Sequence, residues 1–326
     1  MTKPKVLVTS TKLSDAAKAV LRDGGADVTY MPEPVNEDTL AAIFSANDFN
    51  AVLLRTSPPV TRRVLDAAKH LKIIAKHGAG VDSVDIDAAT AHGIVVVTAG
   101  DANADPVAEQ AIMFMLALAR DLPRLNGELH QGKWDKASYV GREFRGRVVG
   151  IVGYGQIGRR TALLAQALGA RVVLHSRSRI ADAAGMEVEE NFERLLGKVD
   201  ILSLHCPLTD KTRGMIGEKQ LRMMKSTALM INTARGPLID EAALIDALKN
   251  GRLAGAGLDT FAQEPTDPQN PLTHLDNVIC TPHVAAMTTD AMIRMGTTAA
   301  NNIVRFFQRG ECDLANVVNP AVLKKS

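Results

Sequence analysis

Short apolar runs alternate with amphipathic segments throughout the first hundred residues. The runs predict strands at residues 5–10, 28–31, 51–55, 72–75 and 94–98, and the segments between them predict helices at 15–22, 37–44, 62–69 and 86–91. Strands that are apolar on both faces and separated by helices are typical of a parallel sheet covered on each side. The pattern therefore predicts one complete α/β unit.

A second alternation of the same kind begins at Arg147. It predicts strands at 148–152, 171–175, 200–205, 227–232, 253–259 and 278–281. Helices are predicted between these strands, including 159–168 and 240–249, and a last long helix at 288–308. Between the two alternations, Ala108 to Leu118 is almost entirely apolar, yet polar residues flank it and no run approaches the roughly 18 residues of a membrane span. We expect a buried helix there, between domains or subunits.

Composition and net charge exclude several classes of protein. The 326 residues favour two domains, and 46% hydrophobic with 23% charged residues is typical of a globular protein. A net charge of +2 without a basic run argues against nucleic acid or a membrane as the main partner. No signal peptide is evident, and Cys206, Cys280 and Cys312 are widely spaced, which predicts no metal site. Cys206 and Cys280 lie at the ends of apolar strands, which predicts buried free thiols in the cytoplasm.

The first strand of the second alternation ends in a glycine motif, G-x-G-x-x-G, and a helical pattern follows at once. Gly153 permits a tight turn, Gly155 lets the backbone approach a pyrophosphate, and Gly158 lets the helix pack on the strand. The helix N-terminus would hold the pyrophosphate through free N–H groups and the helix dipole. The order strand, turn and helix therefore predicts a dinucleotide site rather than an ordinary tight turn.

The next predicted strand indicates which dinucleotide is bound. An NAD site has an acidic residue about 20 positions after the glycines, which holds the ribose 2′-hydroxyl. This chain has Ser176, Arg177 and Arg179 in that region, and no carboxylate. A serine can donate a hydrogen bond and arginines can clamp a phosphate, so NADP is predicted over NAD. The alternative is a weak NAD site beside two solvated arginines.

Three ionisable residues follow strands of the second unit, where loops gather at the carboxyl edge of the sheet. Arg235 could polarise a keto acid and hold its carboxylate, because its planar fork matches two oxygens. His283 could give a proton to the developing alkoxide near neutral pH, and Glu264 could orient that imidazole and raise its pKa. Asp259 ends a strand beside them.

Together these motifs resemble the D-isomer-specific 2-hydroxyacid dehydrogenases. The resemblance runs nearly end to end, and its residues are Gly78 to Asp85, Val107 to Glu109, Gly153 to Gly158, Asn232 to Gly236, Glu264-Pro265, Pro282-His283 and Asn316 to Pro320. It implies that Arg235 binds substrate, that His283 is the acid/base paired with Glu264, and that Gly78, Ala79 and Gly80 cradle the substrate carboxylate. It also implies a cofactor site formed by Gly153, Tyr154, Gly155, Gln156, Ile157, Gly158, Ser176, Arg177, Arg179, Cys206, Pro207, Thr212, Thr233, Ala234, Asp259 and His283.

The resemblance further implies the architecture. A flavodoxin-like substrate-binding or lid domain would comprise residues 1–102 and 289–326, and a Rossmann nucleotide domain would comprise 103–288, with a cleft between them. Family members are usually homodimers joined through their nucleotide domains, so we expect a homodimer. Trp134 could line a substrate site, although ordinary packing is the alternative.

The substrate is less clearly indicated. Arg55 and Lys76 follow strands of the first unit, where either could meet a hydroxyl or phosphate on a longer substrate. The chain ends at Ser326 without an added regulatory domain, which together with the NADPH signature favours a glyoxylate or hydroxypyruvate reductase. The alternatives are an NAD-dependent 3-phosphoglycerate dehydrogenase, a formate dehydrogenase, and a nucleotide-sensing binding protein resembling the dehydrogenase-like corepressors.

Overall fold

A computed structural model describes residues 3–325 and divides the chain into two compact units. The divisions fall after Asn103 and before Met287, so the first unit takes both ends of the chain and the second takes the middle. The first division lies one residue after the position expected from the family resemblance, and the second lies two residues before the expected position. Both units are parallel α/β sheets with helices on their faces, which confirms the predicted fold class.

The first unit has five parallel strands in the order β2-β1-β3-β4-β5, the doubly wound order of flavodoxin. Its elements are β1 (Lys5–Val8), α1 (Asp15–Asp23), β2 (Asp27–Tyr30), α2 (Glu37–Ala46), β3 (Ala51–Leu54), α3 (Arg62–Ala67), β4 (Ile73–Lys76), α4 (Ile86–Ala91) and β5 (Val95–Val97). Strands β3, β4 and β5 are buried along their whole length, as expected for a central parallel sheet. The carboxyl ends of β1, β3 and β4 therefore meet at one edge.

The C-terminal segment completes the first unit. A 21-residue helix spans Thr289–Arg309 and packs on α1 and on the sheet, and we call it α11 because six helices of the second unit precede it. Short 3₁₀ turns follow at Leu314–Asn316 and Pro320–Lys325. The buried Asn319 amide accepts from Val96 N–H at 2.9 Å and donates to the Ile94 carbonyl at 2.9 Å, which ties the tail to strand β5.

The second unit has seven parallel strands in the order β12-β11-β10-β9-β6-β7-β8, which contains the Rossmann arrangement. The order reverses between β6 and β9, and such a switch point opens a crevice at the carboxyl edge. Its elements are α5 (Ala104–Ala119), α6 (Leu122–His130), β6 (Val148–Val152), α7 (Gln156–Ala167), β7 (Arg171–His175), β8 (Glu187–Val188), α8 (Phe192–Lys198), β9 (Ile201–Leu204), α9 (Glu218–Met223), β10 (Leu229–Asn232), α10 (Glu241–Lys249), β11 (Gly255–Leu258) and β12 (Val278–Cys280).

The apolar segment that precedes this sheet is a core helix of the second unit. Helix α5 packs on α7 and on strands β10, β11 and β12, and Phe114 and Met115 are fully buried. At Gly257 of β11 an added Cβ would lie 2.7 Å from Phe114 Cβ, so helix and sheet approach closely. The predicted burial of this helix is confirmed, and the helix covers its own sheet; its expected position between domains or subunits stays a prediction. Within residues 3–325, no helix combines the length and apolarity needed to cross a bilayer.

Candidate active site

The glycine turn lies between β6 and α7, at the switch point of the second sheet. Gly153 has φ +94°, and an added Cβ there would stand 2.7 Å from Cys206 N. An added Cβ at Gly158 would stand 2.0 Å from the Gly153 carbonyl oxygen. Gly155 differs, because nothing lies within 4 Å of the position a Cβ would take. Protein packing requires the first and third glycines, whereas the second leaves open space toward a ligand.

The N-terminus of α7 can accept an anion. Gly155 is its N-cap residue and supplies no side-chain hydrogen bond to the first turn, so the N–H groups of Gln156, Ile157 and Gly158 have no side-chain cap. The helix runs for 12 residues, and its dipole adds to the attraction for a negative group. Tyr154 packs against the core beside the turn, and its buried hydroxyl has no partner within residues 3–325.

The turn that follows β7 exposes two arginines. The His175 carbonyl accepts from Gly153 N–H at 2.8 Å, so this turn begins directly beside the glycine turn. Arg177 and Arg179 are exposed and form no ion pair in the described part of the chain, while Ser176 is half-buried. Ser176, Arg177 and Arg179 are therefore three hydrogen-bond donors near the glycine turn, and none is paired with a carboxylate of the described residues.

The loop after β9 lines the other side of the switch point. His205, which the sequence analysis did not single out, lies beneath the glycine turn, 3.3 Å from the position of an added Gly158 Cβ. Burial lowers the pKa of His205 to about 3, so it is neutral. Beyond it, Cys206 contacts Met215, and the Thr212 hydroxyl donates to the Pro207 carbonyl at 2.7 Å. The only sequence signal for His205 is its position at a strand end.

The loop after β10 presents Arg235. The buried Asn232 side chain donates to the Arg235 carbonyl at 2.8 Å and accepts from Ala234 N–H at 3.0 Å, which fixes the loop. Gly236 permits close packing, because its Cβ would stand 1.9 Å from the Phe261 carbonyl carbon. Arg235 is half-buried, and the Thr233 hydroxyl is buried without a hydrogen-bond partner in residues 3–325.

Asp259 anchors the loop that carries the histidine. Its Oδ1 accepts from the Thr281 hydroxyl at 2.5 Å and from Val284 N–H at 2.9 Å, and its Oδ2 accepts from Ala285 N–H at 3.0 Å. The Asp259 carbonyl accepts from His283 N–H at 2.8 Å. The carboxylate is 1% exposed. The expected contact of Asp259 with the cofactor remains a prediction, and three internal hydrogen bonds weigh against it.

Glu264 and His283 form a charge pair. Glu264 Oε2 lies 2.7 Å from His283 Nδ1, and Glu264 Oε1 accepts from Phe261 N–H at 3.0 Å. Burial opposes ionisation of Glu264, but its hydrogen bonds outweigh burial and lower its pKa. The hydrogen bond to Glu264 raises the pKa of His283, while burial and the nearby positive charge of Arg235 work against that rise. His283 also has φ +53°, and its Nε2 remains available for proton transfer.

A cavity of about 540 Å³ adjoins this pair. Phe261, Pro265, Cys280 and Pro282 supply apolar wall, and Thr266, Thr273 and Thr281 supply hydroxyls. A mostly apolar hollow with a few convergent polar groups is the usual form of a small-molecule site. Within residues 3–325, no cluster of three histidine, cysteine or acidic side chains could hold a metal ion.

The substrate residues predicted in the first unit form a separate group. Gly78 has φ +143°, and the amide groups of Gly78, Ala79 and Gly80 donate no hydrogen bond to any described residue. Successive free N–H groups of this kind form a concavity that suits an anion. Lys76 is 4% exposed, and its ammonium donates to the Arg55 carbonyl at 2.7 Å and to the Ser83 hydroxyl at 2.9 Å. That burial argues against a direct role for Lys76 in substrate contact.

Cys206 and Cys280 are free thiols, as the sequence predicted, but they are only partly buried, and Cys312 is a partly buried free thiol as well. Burial raises the pKa of Cys206 to about 11 and that of Cys280 to about 11, so neither is an activated nucleophile. Burial also raises the pKa of Cys312. Trp134 is 80% exposed and lies outside any helix or strand. The alternative of ordinary packing within its own unit therefore does not apply to Trp134.

The switch-point strand order, the glycine turn and the charged loops together define an α/β protein of the dinucleotide-binding class. A family model, the NAD binding domain of D-isomer specific 2-hydroxyacid dehydrogenases, matches residues 112–285, which lie within the second unit. The chain belongs to the D-isomer-specific 2-hydroxyacid dehydrogenase family, and this confirms the resemblance stated from the motifs.

Relatives in this family include two kinds of enzyme. A glyoxylate reductase of Aeropyrum pernix is 36% identical and aligns over 99% of this chain and 98% of its own length. A D-3-phosphoglycerate dehydrogenase of Methanocaldococcus jannaschii is 40% identical over 97% of this chain, but the chain spans only 59% of that protein. The NADPH-dependent glyoxylate/hydroxypyruvate reductase of Sinorhizobium meliloti, solved with NADP and malonate, has a TM-score of 0.85 and 30% identity, covering 97% of each chain.

Proposed function

We propose that this protein reduces a small 2-keto acid, glyoxylate or hydroxypyruvate, to the D-2-hydroxy acid with NADPH. The observation that carries the proposal is the 2.7 Å contact between Glu264 and His283, with the charge of Arg235 close enough to influence the histidine pKa. A general acid with a raised pKa beside a guanidinium is what reduction of a keto acid requires. Full-length matches to glyoxylate reductases support the same activity.

In the proposed mechanism each of the three residues has a distinct role. Arg235 binds the substrate carboxylate and carbonyl oxygen through its planar fork, which polarises the carbonyl. His283 gives its proton from Nε2 to the developing alkoxide, and Glu264 holds the ring through Nδ1 and stabilises the protonated form. The nicotinamide, when bound, supplies the hydride.

The residues around the glycine turn fit a dinucleotide with a 2′-phosphate. The open space at Gly155 and the uncapped start of α7 suit the pyrophosphate. Ser176, Arg177 and Arg179 would take the 2′-phosphate through charge-assisted hydrogen bonds. The related Sinorhizobium meliloti reductase was solved with NADP, which supports this preference over NAD.

We extend the proposal to domain roles and partners. The first unit would bind substrate through the Gly78–Gly80 amides, and the second would bind the cofactor. Exposed leucines at positions 163 and 164 of α7 and at its C-cap position 168 support association of two copies through the second unit. Light scattering tests this, with a monomeric mass as the contrary result. The free thiols support the cytoplasmic location expected from the sequence.

The decisive experiment follows oxidation of NADPH and of NADH at 340 nm with glyoxylate, hydroxypyruvate, pyruvate, 2-ketobutyrate and 3-phosphohydroxypyruvate. Fast turnover of NADPH with glyoxylate or hydroxypyruvate is the expected result. Replacing both Arg177 and Arg179 by Ala should raise the KM for NADPH about tenfold or more and leave that for NADH unchanged. Arg194→Ala, an exposed arginine on α8, is the matched control.

A second candidate is an NAD-dependent 3-phosphoglycerate dehydrogenase. The 40% identity to such enzymes over almost the whole of this chain favours it. Turnover only with NADH and 3-phosphohydroxypyruvate would establish this candidate and reject the first. Absence of turnover with every pair would reject both and favour a nucleotide-sensing binding protein.

A further inference from the structure

Arg55 lies in a setting unlike that of the other candidate site residues. It follows β3 and is half-buried, and its Nη1 donates to the Ser10 hydroxyl at 3.3 Å. Its Nη2 lies 3.8 Å from the sulfur of Met287 and 4.0 Å from the sulfur of Met292. Arg55 forms no ion pair with any residue of the described chain. The guanidinium is thus held by a hydroxyl and two thioethers.

Thioethers position this guanidinium without neutralising it. A methionine sulfur is a weak hydrogen-bond acceptor and carries no charge, so the arginine keeps its full capacity to bind an oxygen ligand. The neighbouring His77 does not compete, because burial and the positive charge of Arg55 lower its pKa to about 4 and leave it neutral. Arg55 therefore remains a charged donor for a hydroxyl or phosphate.

The two sulfurs differ in access to solvent. Met287 is 49% exposed, whereas Met292 is half-buried and Met295, one turn further along α11, is 3% exposed. Oxidation of methionine by peroxides depends on access to the sulfur, so Met287 is the member of this group that a peroxide would reach first.

We propose that Met287 is an oxidation site whose sulfoxide blocks the donor group of Arg55. A peroxide transfers one oxygen atom to the thioether: the O–O bond breaks, a sulfur–oxygen bond forms, and water is released when the oxidant is hydrogen peroxide. The sulfur loses two electrons and the peroxide gains them. The product is a polar sulfoxide, whose oxygen is a far better acceptor than the original sulfur.

The sulfoxide oxygen would accept a hydrogen bond from Arg55 Nη2, since the sulfur already lies 3.8 Å from that nitrogen. That bond occupies the donor that would meet the 3-hydroxyl of hydroxypyruvate. Glyoxylate has no 3-hydroxyl, so its binding should not change. The inference rests on the proposed function, because it assigns Arg55 to the distal group of the longer keto acid.

The test compares peroxide-treated and untreated protein in the wild type, in Met287→Leu and in Met113→Leu. Met113 is a matched control, since it is 52% exposed and belongs to the second unit. Peptide mass spectrometry measures sulfoxide at each position, and steady-state kinetics give KM for hydroxypyruvate, glyoxylate and NADPH. In the wild type and in Met113→Leu, oxidation should raise KM for hydroxypyruvate roughly fivefold and leave the other two unchanged.

Met287→Leu should show no such rise, and methionine sulfoxide reductase should reverse the rise in the wild type. Met287→Gln, a polar mimic, should raise KM for hydroxypyruvate without any peroxide. The inference is overturned if Met287 resists oxidation, if its oxidation leaves KM unchanged, or if glyoxylate responds equally. Binding of 3-phosphoglycerate, followed by calorimetry before and after oxidation, tests the inference even when no keto acid is reduced. Turnover by untreated protein tests the proposed function separately.

Discussion

The carboxyl edges of the two sheets carry charged groups in opposite ways. In the second unit, Asp259 accepts three hydrogen bonds and Glu264 pairs with His283, so the ionisable groups in the loops after β11 and β12 have fixed partners. In the first unit, Arg55 rests on a hydroxyl and two sulfurs and has no carboxylate partner among the described residues. The loops after β11 and β12 fix geometry, whereas the loop after β3 leaves charge available.

This difference separates the requirements of proton transfer from those of binding. Proton transfer needs a group at a defined position with a matched pKa, and hydrogen bonds to neighbours provide both. Binding an anionic or polar ligand needs a donor that the protein has not already neutralised. Four substitutions test whether these loops obey the separate requirements of proton transfer and binding.

His283→Ala should produce the largest loss of activity among the substitutions in the second unit. Removal of a general acid typically lowers turnover by about 10²–10⁴-fold, and cofactor binding should change little because the glycine turn is intact. Steady-state kcat and a fluorescence titration with NADPH measure the two effects. A loss below about tenfold would remove His283 from proton transfer.

Asp259→Asn should destabilise the loop that carries His283. Three donors point at the Asp259 carboxylate, and an asparagine side chain has only one acceptor oxygen. Its NH2 group would therefore face one of these N–H or hydroxyl donors, which costs about 1–3 kcal/mol. Urea unfolding should show the loss of stability, and kcat should fall with it. Asp276→Asn, at an exposed aspartate in the same unit, is the control. Equal stability of the two variants would contradict the anchoring role.

Glu264→Gln should shift the pH dependence of reduction. The hydrogen bond that His283 donates to Glu264 raises the pKa of His283, so loss of the carboxylate lowers that pKa. Reduction needs protonated His283, and this protonated form is lost as pH rises through the pKa of His283. The descending limb of the pH–kcat profile should therefore move to lower pH. An unmoved limb would show that the pair does not control the proton.

Arg55→Ala should give the smallest effect, confined to one substrate. Loss of a hydrogen bond to the distal hydroxyl should raise KM for hydroxypyruvate roughly fivefold, and kcat should stay close to wild type. Glyoxylate is the internal control, because it has no distal group. Equal changes for both keto acids would place Arg55 at the carboxylate instead.

Much of the fold could be predicted from the sequence. Buried parallel strands give uninterrupted apolar runs, so β3, β4, β9 and β10 were located to within a few residues. Two elements were missed for physical reasons. Strand β8 has only two residues, too few to show a period, and helix α6 contains Pro123 and Gly127, which are typical of turns, and buries none of its side chains.

The grouping of the candidate residues could be predicted from the sequence, whereas the orientation of their side chains could not. Residues at strand ends gather at one edge, and this rule located Arg235, Glu264 and His283. The inward turn of the Asp259 carboxylate depends on donors from residues 281–285, more than twenty positions away. The burial of Lys76 likewise depends on the Arg55 carbonyl, 21 positions earlier, and also on the hydroxyl of Ser83, seven positions later. Local sequence carries no signal for such distant partners.

The free thiols give a practical means of following how the protein unfolds. With a pKa of about 11, Cys206 and Cys280 are thiolates in only about one molecule in ten thousand at pH 7, so alkylating reagents should label them slowly in the native state. Both thiols belong to the second unit and Cys312 belongs to the first. Pulse alkylation in increasing urea would therefore report the unfolding of each unit separately, without an added probe.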